Sequence, residues 1–74
     1  MNIKDVVSVN PERMSGAPCF TGTRVPISHL FEFLESGETL DEFLRQFPSV
    51  TRAHALAVLE LSKESLLANH EIAA

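Results

Sequence analysis

Hydrophobic and polar positions follow two different rhythms on either side of Pro26. Before it the chain is rich in Val, Thr, Gly and Pro; after it come one glycine, Gly37, and one proline, Pro48. The first part therefore predicts short strands and turns, and the second predicts helices with two breaks. Val6, Val7 and Val9 favour a short strand. Asn10-Pro11 and Ser15-Gly16 mark two turns, and Ala17 to Phe20 is a candidate second strand. Thr21-Gly22 then predicts a tight turn, because glycine takes positive φ at no steric cost. Pro26 biases Val25 towards an extended backbone and suits the lead-in to a helix.

Three helices follow in this reading. The first is expected from Ser28 to Ser36, with Ser28 as N-cap, Leu30, Phe31 and Leu34 on one face, and Gly37 as the terminating glycine. The second starts with Thr39 as cap and Glu42 three residues later, the pattern of a capping box. Leu40, Phe43, Leu44 and Phe47 give it a full apolar stripe, and Pro48 stops it. The third is expected from Thr51 to about Asn69, with Ala55, Leu56, Leu59 and Leu66 facing inward and Val58 and Leu61 widening that face. Residues 70–74 read as a frayed tail.

Composition narrows the picture. The 74 residues make a single domain: 1–27 strands and turns, 28–69 three helices, 70–74 tail. At about 0.05–0.15 kcal/mol per residue its stability is about 4–11 kcal/mol. Scaffolds of this size usually need a staple. The single cysteine, Cys19, excludes an internal disulfide and a Cys-pair zinc site. Oligomerisation, as a homodimer, or close helix packing is left for that role. Ten acids against six bases give a net charge of -4, which counts against tight, independent nucleic-acid binding. No apolar run is long enough to cross a bilayer, and the first residues lack the apolar core of a signal peptide. A reduced, cytoplasmic protein is the expectation.

The second and third helices, joined by Phe47-Pro48-Ser49-Val50, have helix-turn-helix spacing. In DNA-binding versions the first residues of the second helix of the pair reach base edges. Here these are Thr51, Arg52 and His54, with Arg52 suited to guanine and Thr51 to phosphate. Arg45 and Lys63 are candidate phosphate contacts, and the helix N-terminus at Thr39 offers backbone N–H groups. The packing alternative stays open. The turn lacks a glycine, and Glu38, Asp41, Glu42 and Glu60 put negative charge near the DNA side.

Other chemistry is weakly signalled. His29, His54 and His70 form no ligand set, so no metal or cofactor is expected. Cys19 sits in an apolar strand without a His-acid pair, as an inert core thiol does. Asp41 and Glu42 lie in a first helical turn, where acids suit the helix dipole. A non-enzymatic protein is expected.

The stretch Cys19 to Ile27, CFTGTRVPI, is not a phosphate loop, which needs several glycines and a Lys-Ser/Thr pair before a helix. Gly22 makes the turn, Thr23 satisfies its backbone, Arg24 reaches out and Pro26 launches the helix. A guanidinium beside an apolar joint seeks carboxylates or carbonyls. Arg24 is either a clamp onto a helix C-terminus, Glu32 or Glu35, or an arginine facing a partner.

Gly16, Pro18, Gly22, Thr23, Arg24 and Pro26, and then Gly37, Thr39, Phe47, Pro48 and Thr51, form one spaced set. Through it, from about residue 8 to 67, the chain closely resembles the bacterial domain-of-unknown-function family four-three-three. It implies a mainly α, three-helix, homeodomain-like fold with a short N-terminal strand or hairpin segment. It also implies a VapB-type, antitoxin-like role beside a PIN-like ribonuclease toxin. Asn10 replaces the usual Asp, Cys19 sits where a β-branched residue is common, and Arg52-Ala53-His54-Ala55 replaces a more acidic helix opening. The acidic balance suits a basic region around a nuclease active site, and operator DNA is the second expected partner.

Overall fold

The computed structural model describes residues 2–12 and 16–68. Among them the chain forms α1 (Ile3–Val6), β1 (Val7–Ser8), β2 (Cys19–Phe20), α2 (Ile27–Glu35), α3 (Leu40–Gln46) and α4 (Arg52–Ala68). The protein is mainly helical, with one short antiparallel ribbon in which Val7 faces Phe20 and Ser8 faces Cys19. Ser15, Asn69 and the tail from His70 lie outside the described residues.

The described residues form four helices, one more than the hydrophobic pattern suggests. Val6 belongs to α1 and not to a strand. The Asn2 side chain caps this turn by accepting from the Lys4 N–H at 3.0 Å, and the Asp5 N–H bonds to the Asn2 carbonyl at 2.9 Å. A local cap thus outweighs the β preference of a valine pair, and the strand keeps only Val7 and Ser8.

The helix ends follow local chemistry closely. Helix α2 begins at Ile27 with Pro26 as its N-cap, and Pro26 makes no side-chain cap bond. Ser28 is therefore inside the helix, two positions past the cap. The ring of Pro26 already fixes the entry φ, so a serine cap is not needed. At the other end Gly37 has φ +92°. The Gly37 N–H bonds to Leu34 O at 3.1 Å and the Glu38 N–H to Phe33 O at 2.9 Å, the paired closing bonds of a glycine C-cap. In α3, Thr39 Oγ1 accepts from the Glu42 N–H at 3.1 Å. The reciprocal half of the capping box is not made, since the Glu42 carboxylate turns forward to Arg45 and Gln46. Helix α4 is capped in the same way by Thr51, whose Oγ1 accepts from the His54 N–H at 3.1 Å.

The core draws on every element. Val6, Phe20, Leu30 and Phe43 are fully enclosed, with Val25, Val50, Ala55 and Val58 around them. The Phe43 ring lies 5.9 Å from Phe20, 5.5 Å from Phe33 and 5.1 Å from Phe47, centroid to centroid. Helix α2 packs on α3, and α1 packs on α4. The inward phase of α4 runs through Ala55 and Val58, while Leu56 and Leu66 are exposed. At 1.5 Å per residue the 17-residue helix is about 25 Å long and outruns the small core. Its last buried residue is Val58, so an apolar stripe carried on to Leu66 is not an interior one.

Replacing Thr39 with alanine removes the α3 cap and should lower stability by about 0.5–2 kcal/mol. A thermal melt reads this as a fall of several degrees in Tm, and an unshifted melt contradicts the cap.

Candidate functional site

Three surfaces compete for function: the corner between α3 and α4, the turn around Arg24, and an apolar groove along α1, α2 and α4. The corner holds most of the residues suited to nucleic acid. Phe47 closes α3 with its N–H on Phe43 O at 2.9 Å, and the Val50 N–H returns to Phe47 O at 3.0 Å, which seats Val50 in the core. This bend sets Thr51 and Arg52 close to the start of α3. The Arg52 guanidinium pairs with the Asp41 carboxylate across the corner. Arg45 pairs with Glu42 on the same helix, and Lys63 pairs with Glu60 at 3.0 Å. Thr39 and Thr51 both spend their hydroxyls on helix caps. His54 is half-buried behind the Thr51 cap. Lys63 stands eleven residues beyond Arg52, roughly 16 Å along α4, and does not join the corner. Each of these three bases thus carries an acid of its own.

The second surface is built by the motif residues. Gly16 has φ +79°, and a Cβ there would meet the Pro11 backbone at 3.7 Å. Pro18 presents its carbonyl to the Ile27 N–H at 2.9 Å, which docks the start of α2 on the ribbon. Pro26 is buried and bridges to Cys19. Gly22, also at φ +79°, allows the reversal after Phe20. Thr23 then stitches the turn twice: its hydroxyl donates to Phe20 O at 2.8 Å and accepts from the Val25 N–H at 3.0 Å. Arg24 is left on the outside of this locked turn. It forms no hydrogen bond or ion pair among the described residues, so neither Glu32 nor Glu35 clamps it. It lines instead a cavity of about 330 Å³ together with Thr23, with Ser8, Val9 and Asn10 on one side and Ala17 and Cys19 on the other.

The third surface is an open groove of about 520 Å³. Ile3 and Val7 form one wall, Phe31 another, and Val58, Leu61 and Leu66 of α4 complete it. Ile3 is 56% and Leu66 64% exposed. Hydrophobic patterning alone assigned Leu66 to the interior and missed α1 entirely. The available signal was a surplus, since α4 carries more leucines than a helix of this small core needs.

The family whose sequence model is described as "Protein of unknown function (DUF433)" matches residues 7–61. The chain belongs to this family. No curated protein and no solved structure matches it. The span shared with DUF433 takes in the ribbon, the Arg24 cavity and the α3–α4 corner. It stops inside α4, so the groove is divided: Val7, Phe31, Val58 and Leu61 fall within the DUF433 span, while Ile3 and Leu66 flank it.

One atom in the turn lacks a partner. Thr21 Oγ1 is buried and accepts or donates no hydrogen bond among the described residues. Leaving such a hydroxyl unpaired costs about 1–3 kcal/mol. Thr21→Val should therefore raise Tm in a thermal melt, by several degrees for each kcal/mol regained. A lowered Tm would show that the hydroxyl is satisfied in solution.

Proposed function

We propose that this protein is an antitoxin-like module that binds and neutralises a partner nuclease. The observation that carries the reading is the apolar groove on an acidic chain. Exposed apolar surface that is contiguous and concave marks a protein-binding site far more often than scattered leucines do. The net charge of -4 complements a basic nuclease surface and speeds encounter with it. A PIN-like ribonuclease is the partner class that the family resemblance implies.

An additional role in operator binding rests on a homeodomain-like arrangement of α3 and α4, with Thr51 and Arg52 entering the major groove. The ion pairs of Arg45, Arg52 and Lys63 oppose it. Exposed pairs of this kind contribute only about 0–1 kcal/mol, so a phosphate can draw the bases away. A homodimer supports this role, because the two-residue strands leave edges that a second copy can cover. The same ion pairs favour a second reading, an interaction module that does not touch DNA.

Co-purification with a PIN-like ribonuclease tests the first reading. Ile3→Glu and Leu66→Glu should each weaken the complex at least tenfold, while Leu67→Glu, exposed but off the groove, should leave it intact. Equal binding by all three variants places the interface elsewhere. In a low-salt gel shift with the upstream region, binding that weakens with Arg52→Ala supports the repressor role, and absence of any shift with or without the nuclease removes it.

A further inference from the structure

The locked turn at Gly22-Thr23-Arg24 lies outside the lining of the groove, and the Thr23 hydroxyl ties it to Phe20 O and the Val25 N–H. Its geometry places Arg24 in the lining of a cavity. Arg45, Arg52 and Lys63 all meet acids, whereas Arg24 meets none among the described residues. Among the described residues no acidic side chain lines the cavity, in a chain where acids outnumber bases by ten to six.

We infer that this cavity binds a small anionic ligand, a carboxylate or a phosphate ester, with Arg24 as its charge partner. A guanidinium presents a planar fork of N–H donors that matches two oxygens of either group. Asn10 adds to it. Its Oδ1 is taken by the Glu12 N–H at 2.9 Å, which leaves the amide NH₂ as a donor. The Ser8 hydroxyl supplies another. Thr23 does not compete, since both functions of its hydroxyl are spent inside the turn. Val9, Ala17 and Cys19 form the apolar part of the lining and suit the carbon skeleton of the ligand; the Cys19 thiol is turned to Ala17 O at 3.5 Å. About 330 Å³ lies at the small end of ligand pockets, which run from roughly 300 to 1,000 Å³. The ligand is thus the size of a small organic acid or a sugar phosphate. The turn backbone is set before the ligand arrives, so the ordering cost falls on the Arg24 side chain.

Amide-resolved NMR titration of the full chain tests the site, with inorganic phosphate in one arm and succinate in the other, at ionic strength held constant with sodium chloride. Saturable shifts centred on Ser8 to Asn10 and Thr23 to Val25 are expected in at least one arm. Saturation by phosphate alone assigns a phosphate ester, and saturation by succinate alone assigns a carboxylate. Arg24→Gln should weaken binding at least tenfold with the rest of the spectrum unchanged. Arg24→Lys keeps the charge but not the fork, so intermediate binding is expected from it, and this arm stands whether or not the glutamine variant folds. Shifts that match those of sodium chloride alone, or binding that both Arg24 variants retain in full, overturn the assignment.

Discussion

The contact between Phe20 and Phe43 joins the two parts of the molecule. Phe20 comes from a ribbon of two-residue strands, and Phe43 from a seven-residue helix. Neither element is stable alone, since isolated hairpins and helices this short are marginal in water. Their rings meet in the fully enclosed centre, and Phe33 and Phe47 pack on the same Phe43 ring from α2 and the end of α3. Truncating one buried phenylalanine costs about 3–5 kcal/mol. For a chain of 74 residues that is of the order of the whole folding stability. The ribbon is therefore held by the helices and not by its own ladder.

This dependence reaches the functional surfaces. Phe20 is also the residue whose carbonyl receives the Thr23 hydroxyl and whose N–H bonds to Val25 O at 3.0 Å. Burying its ring fixes the backbone from which the turn is built, and so fixes Arg24 at the cavity edge. On the far side, Val58 serves the core with one part of its surface and the groove with another. A single packed centre thus supports a polar cavity on the ribbon side and an apolar groove on the α4 side, with the ion-paired corner of α3 between α2 and α4 in the chain.

Much of this was legible in residue order. Thr39, Thr51 and Gly37 announced their helix ends because capping is a local reaction between a side chain and backbone groups within a few residues. Gly22, Thr23 and Pro26 were readable for the same reason. The errors lie where a distant or competing contact decides. Asn2 nucleates α1 at a site that valine content assigns to a strand. Leu66 matches a helical stripe, but whether a stripe is interior depends on how far the core extends beneath it, and Leu56 is turned off the phase of the buried Ala55 and Val58. The partner of Arg52 was invisible in another sense: its position suits phosphate, and only the fold reveals Asp41 within reach, whereas Glu42 lies three residues before Arg45 on one helix. The open side of Arg24 likewise depends on which carboxylates the fold keeps away.

Native-state hydrogen exchange measures the central coupling directly. If the Phe20–Phe43 contact unites ribbon and helices, the amides of Phe20 and Thr21, bonded to Val25 O and Val6 O, exchange with the same opening free energy as that of Phe47 at the end of α3. Ribbon amides that open at a much lower free energy than α3 would contradict it, because the ribbon would then come away while the helices stay folded.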